Sequence, residues 1–276
     1  MRYRTGKLAE LGKRKLIVDT QDALAKFYGD DFYKKQVGAS LASAMTYAAL
    51  LAPLFRPASV VDLGCGRGTW LKAFKDIGAT KLVGYDGNWN TQRNMIDQSI
   101  VFRSANLNEP IRPAESERFD LAMSLEVAEH LEPSSARTFI RSLTDLSNVI
   151  LFSAAYAKQG GDNHVNEQPH TYWAEIFMSF EYVPYDLFRP VVWGDKEIPF
   201  WYQQNTFLYV RRNTHFAEVL ANVGHYPIKN LAFMDCVHPS LYQSRIGTKA
   251  AIKELAAKAI PKPLLSLAQR IKSRLT

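Results

Sequence analysis

Glu126, Glu129 and His130 stand in the order E-x-x-E-H, and His164 follows in the polar run His164-Val165-Asn166-Glu167-Gln168. Carboxylates and imidazoles take or hold a proton near neutral pH. Together they also suit a divalent cation. Residues three and four apart share a face on a helical turn, so the spacing predicts that Glu126, Glu129 and His130 converge. His164 is the first choice as a general base, because it follows the loop glycines Gly160 and Gly161 and carries an imidazole, the side-chain type suited to proton transfer. Asn166, Glu167 and Gln168, with Tyr172, Trp173, Trp201, Tyr202 and Asn205, supply amides, an acid and rings that can hydrogen-bond and stack on a small ligand. The competing reading makes Asn166 and Gln168 caps of the helix that Pro169 opens, and the rings a structural cluster.

These groups need a scaffold, and the clearest sign of one lies upstream. The apolar run Ala58-Ser59-Val60-Val61 leads into Asp62-Leu63-Gly64-Cys65-Gly66-Arg67-Gly68. Such a run reads as a buried strand turning sharply into a helix. The free N–H groups at that helix start favour a polar or anionic ligand. A dinucleotide fingerprint would need a glycine three positions after Gly66, where Thr69 stands. The next run, Lys81 to Tyr85, ends in Asp86-Gly87, and an acid at that strand tip can accept bonds from both hydroxyls of a ribose. A third run, Ser99 to Arg103, leads to Asn106-Leu107, and a fourth element from Arg118 to Leu131 carries Ser124 and Glu126. Polar groups at successive strand tips mark the ligand edge of an open α/β sheet.

The pattern D-x-G-x-G-x-G at Asp62–Gly68 resembles motif I of the class I S-adenosylmethionine-dependent methyltransferases, and Arg118–Leu131 resembles their motif IV. The resemblance implies S-adenosylmethionine as cofactor, held by Asp62, Gly64, Cys65, Gly66, Gly68, Asp86, Gly87, Asn106, Leu107, Ser124 and Glu126. Asn106 would meet the adenine edge and Leu107 would form an apolar floor. The resemblance also implies an antiparallel last strand. The segments Ser124–His130, Phe152–Ala155, His164–Gln168, Tyr172-Trp173 and Trp201–Asn205 look like a bacterial and viral methyltransferase group that sits with glycan-building enzymes. That likeness spans Asp31 to Arg211 and implies O-methylation of a saccharide or small metabolite. It departs at Ala157-Lys158, where members carry Pro-Gly. E-x-x-E-H resembles metal-dependent members of the superfamily, small-RNA 2′-O-methyltransferases among them, yet it is also widespread in metal-free ones. The site is read here without a metal, and a divalent cation is the alternative. A methyltransferase acting on RNA or another nucleic acid, and a non-catalytic protein of cofactor fold, are the alternative functions.

The 276 residues, 47% of them hydrophobic, can bury a sizeable core. Strands alternating with helices predict a Rossmann-like, doubly wound, seven-stranded, mostly parallel α/β sheet. The expected strands are 59–63, 81–85, 100–103, 120–124, 149–152, 182–188 and 206–210, with helices over 69–77, 134–146 and after Pro169. Three parts follow: a helical lead-in or lid over 1–57, the cofactor domain over 58–212, and a helical basic extension over 213–276. Two cysteines make no disulfide framework and fit a reducing cytoplasm. The basic stretch Met1–Lys15 is not followed by an apolar run, so it is not a secretory signal. The net charge of +7 gathers at both ends of the chain. Leu264, Leu267, Ile271 and Leu275 recur at helical spacing among basic residues, a helix suited to the protein's own core or to a membrane surface. The oligomeric state has no sequence signal.

Overall fold

The computed structural model describes residues 30–113 and 117–246. The start of the lead-in, and the tail with the amphipathic helix expected over 264–275, lie outside the described residues. Seven strands form one sheet: β1 (Ser59–Leu63), β2 (Lys81–Asp86), β3 (Val101–Ser104), β4 (Leu121–Leu125), β5 (Val149–Ser153), β6 (Tyr182–Tyr185) and β7 (Phe207–Arg211). Their order is β3-β2-β1-β4-β5-β7-β6. All pairs are parallel except β5·β7 and β6·β7, so the antiparallel strand implied by the resemblance is present. β4 and β5 are buried at every position, which explains why they read as continuous apolar runs without alternation.

Helices cover both faces of the sheet. On one face, helix α1 (Asp30–Leu51) and helix α2 (Thr69–Asp76) pack Tyr47, Leu51, Trp70 and Phe74 against Val60, Leu121 and Leu151. On the other, helix α3 (Ala136–Leu146) and helix α4 (His170–Met178) pack Phe139, Leu143, Trp173 and Phe177 against Val61, Ala122 and Ile150. Phe139, Ile140, Leu143 and Leu146 are all fully buried, the apolar stripe expected of a helix lying on a sheet. The buried Tyr182 hydroxyl donates to the carbonyls of Thr144 (2.9 Å) and Ser147 (2.6 Å), which ties β6 to the end of α3.

Helix α1, where it is described, packs on the sheet ahead of β1, and the Tyr47 hydroxyl donates to the Tyr202 carbonyl at 2.7 Å. One expected strand is corrected. The sixth strand stops at Tyr185, and short helices α5 (Arg189–Val192) and α6 (Phe200–Asn205) fill the segment before β7. Helix α7 (His215–Asn222) belongs to the same unit as the sheet and sets Phe216 against Phe55, with ring centroids 4.7 Å apart. A second compact unit begins at Cys236, and its described residues, 236–246, include helix α8 (Pro239–Ile246). Among the described residues no helix is long and apolar enough to cross a membrane.

Phe177 stacks on Tyr209 with ring centroids 3.9 Å apart and has no exposed surface. Phe177→Ala should destabilise the chain by about 3–5 kcal/mol in urea unfolding. The neighbouring Met178→Ala, on the outer face, should cost under about 0.5 kcal/mol.

Candidate active site

The ligand edge is built from the loop after β1. The backbone N–H groups of Gly64 (2.8 Å) and Cys65 (3.0 Å) both donate to the Tyr85 carbonyl and hook that loop onto the end of β2. The turn drives Gly64 to φ +90°, and a Cβ there would lie 2.3 Å from a Val127 methyl. Only glycine meets both conditions. Asp86 closes the cradle: one oxygen accepts from Gly66 N–H (2.8 Å) and the other from Gly87 N–H (2.7 Å). The Asn90 side-chain amide donates to the Gly66 carbonyl, and Ile96 N–H donates to Arg67 O at 2.8 Å. The resulting open cleft is lined by Ser40, Gly64, Gly66, Thr69, Glu126 and Tyr202, among others.

Glu126 sits at the tip of β4 in a left-handed conformation, φ +56°. Its N–H donates to both the hydroxyl (3.0 Å) and the carbonyl (3.1 Å) of Ser153. Its carboxylate accepts from the Asn205 amide at 3.1 Å and the Gln159 amide at 3.2 Å. Such strain in a non-glycine residue persists where the surroundings over-determine it. Because of this kink, Glu126, Glu129 and His130 do not share one helical turn as expected; only Ala128–His130 form a short 3-10 turn. Glu129 and His130 instead meet His164. Their loop is pinned by Val165 N–H and Asn166 N–H, both donating to the Glu129 carbonyl at 2.9 Å. His164 Nδ1 lies 2.8 Å from Glu167 Oε1, and its Nε2 lies 4.0 Å from Glu129 Oε1. The His130 and His164 rings meet edge to face, 4.7 Å between centroids.

Burial raises the carboxyls of Glu126 and Glu129 above the usual range, and the negative charge of Glu126 pushes Glu129 further up. Burial lowers His130 to about 4, helped by His164 beside it. Cys65 is buried and outside any disulfide, burial raises its thiol, and its side chain packs against Gly84.

Several expected site residues have other places. Trp173 is core, wedged beside Phe152, because α4 turns that face onto β5. Ser124 is fully buried and donates to the Leu63 carbonyl at 2.8 Å, tying β4 to β1. Asn106 is exposed and folds back on its own turn, bonding Glu109 and Asn108. Leu107 is buried in the core beside Val83 and Phe119. Asn166 is buried, its oxygen accepting from Gln168. Asn205 is buried and positions Glu126. Tyr202 does line the cleft, its ring edge-on to Trp70 at 5.3 Å. Tyr172 is half-buried, and Trp201 is 37% exposed. The sequence reading did not single out Ser40, Asn90, Val127 or Gln159: Ser40 and Asn90 reach the site from other elements, and Val127 and Gln159, beside the residues it did name, are of types that announce no chemistry.

Asp62 is fully buried beneath the loop with Oδ1 unpartnered. Burial, and then the charge of Asp86, push it up to about 8. A carboxyl raised above its unfolded value binds its proton more tightly when folded. Its stabilisation is therefore full below about pH 4 and is lost as pH rises through about 8. Thermal unfolding of the ligand-free chain should fall over that window, and Asp62→Asn should flatten the fall. An unchanged slope in the variant would mean that Asp62 does not hold the proton.

A family described as a methyltransferase domain matches residues 33–225. Among solved structures, a chain from the complex of the Haloferax volcanii Trm112 methyltransferase activator with a methyltransferase is 14% identical, with a TM-score of 0.52. It covers 67% of this chain and 96% of its own length. The methyltransferase domain of bacterial CtHen1-C is 18% identical with a TM-score of 0.49, and the match covers 63% of this chain and 98% of that one. Likeness at such identity shows the fold alone. No curated protein matches the chain by sequence.

Proposed function

The chain belongs to the methyltransferase-domain family and is an S-adenosylmethionine-dependent methyltransferase; from that premise we propose that it methylates a hydroxyl oxygen of a saccharide or sugar-derived small metabolite. The observation that carries this reading is the joining of two half-sites at Glu126, which lines the glycine cleft and sits beside the buried Glu129–His164 group.

The donor set of the cleft fits the cofactor. A carboxylate has about four acceptor sites, and Asp86 uses three of them on Gly66, Gly87 and Asn90. It keeps capacity for a ribose hydroxyl. S-adenosylmethionine supplies a methyl group on a positively charged sulfur, which an oxygen nucleophile displaces. The chain's task is then alignment and removal of one proton. The new bond is oxygen to methyl carbon, the broken bond is sulfur to methyl carbon, and the hydroxyl proton goes to a base. His164 is that base. Its Nδ1 is held by the Glu167 carboxylate, so Nε2 carries the lone pair on the Glu129 side. The half-exposed Trp201 and Tyr172 rings offer faces for a sugar. The likeness of the His164–Gln168 and Trp201–Asn205 segments to the glycan-associated group supports the same acceptor class.

Calorimetry should give one site for S-adenosylmethionine or its demethylated product, and no heat for NAD. Asp86→Asn should weaken that binding about 10–100-fold, the loss of a charge-assisted bond. His164→Ala should lower turnover by about 10²–10⁴ while changing product affinity little. For the acceptor, cofactor labelled in its methyl group is incubated with the protein and panels of nucleotide sugars, free saccharides and RNA. Label in the sugars is expected; label in RNA alone would overturn the acceptor class.

A further inference from the structure

Glu129, His130 and His164 each bring one metal-ligating atom to within 4.8 Å of the other two. Their hydrogen bonds say more than their proximity. The His130 ring bonds the Asn163 backbone, while its Nδ1 is buried without a partner. A neutral imidazole that donates from one nitrogen carries its lone pair on the other. His164 is engaged at Nδ1 by the Glu167 carboxylate, 2.8 Å away, which leaves the lone pair on Nε2. Glu129 is 1% exposed, and its Oε2 has no partner. Two orphaned buried acceptors and a third lone pair thus gather at one place. The outer nitrogen of each ring is already held, as it is where histidines are oriented to bind a metal. Acceptors buried together in this way need a donor or a cation between them.

We propose that Glu129, His130 and His164 bind one divalent transition-metal ion of the zinc, cobalt or manganese class. Two imidazoles and one carboxylate favour such an ion over magnesium or calcium, which take oxygen ligands. Three protein ligands leave a coordination position open, the arrangement of catalytic rather than structural sites. Two ligands on one ion lie at most about 4.2 Å apart for nitrogen and oxygen donors, so the cluster contracts by roughly half an ångström on binding. His164 sits on the loop after β5 with its ring against Gly161, where a Cβ would come within 2.2 Å of Nε2.

The ion adds to the reading above at its acceptor end, and only its role, not its binding, rests on methyl transfer. It would take up the acceptor hydroxyl oxygen and make its proton more acidic. His164 would then be a ligand instead of the base, since both uses need the same lone pair, and the hydroxyl proton would pass to the Glu126 carboxylate, which lines the cleft.

The test uses the full chain without an affinity tag, stripped with a chelator. Zinc is titrated by calorimetry, cobalt by its visible absorption, and magnesium for contrast. Expected are one equivalent of zinc bound at least about 100-fold more tightly than magnesium, and a cobalt band in the visible. His164→Asn and Glu129→Gln should each weaken zinc binding at least about tenfold, with cooperative unfolding retained in metal-free buffer. If Glu129→Gln fails to fold, His164→Asn, on the loop, decides. No stoichiometric zinc uptake by the wild type, or uptake retained in the folded variants, overturns the proposal and leaves His164 as the base. Zinc uptake without binding of S-adenosylmethionine would overturn the reading of the cleft and leave the metal site standing.

Discussion

Two backbone N–H groups on one carbonyl, those of Gly64 and Cys65 on Tyr85, set the geometry of the ligand edge. The hook brings the end of β1 against the end of β2, so that the Asp86 carboxylate can hold Gly66 and Gly87 at once. With the loop fixed, Val127 packs directly on Gly64, and Glu126, one residue earlier, faces the cleft. The position of the cleft thus depends on a main-chain contact that no side chain could replace.

That arrangement gathers carboxyls where burial disfavours their charge. Asp62, Asp86, Glu126 and Glu129 all have raised proton affinities, with burial the largest cause for each. A fold shaped only for stability would avoid such a set. Here it is tolerated because the sheet behind it is buried on both faces and tied laterally, for example by Ser124 to Leu63 and Ser59 to Asp120. The strained Glu126 belongs to the same pattern of local cost borne by a rigid frame.

The frame was largely legible in the sequence. Buried parallel strands write themselves as short apolar runs between turn residues, and β1 was read at its observed limits, Ser59–Leu63. The glycine loop and Asp86 were legible because their roles are local: a sharp turn and a strand tip. Side chains whose roles come from remote partners were not. Trp173 looked like a ligand platform, but the face that α4 turns inward is set by Phe152 on another strand. Asn205 looked free to bind a ligand, yet it is claimed by Glu126, 79 residues away in sequence. The convergence of Glu129 with His164 depends on a left-handed turn at Glu126, and nothing in the residue type of a glutamate announces it.

The reversed direction of β7 has a consequence for how such a protein diversifies. β6 and β7 are antiparallel neighbours with Tyr185 opposite Leu208, so everything between them is one long excursion that leaves the sheet and returns to the same place. Its ends are stapled by the ladder, and its closing turn delivers Asn205 to Glu126. Lengthening such an excursion adds little closure entropy and leaves every strand register intact. Natural variation can therefore resize or rewrite much of this segment while the glycine loop and its Asp86 cradle, built at the ends of β1 and β2, stay the same.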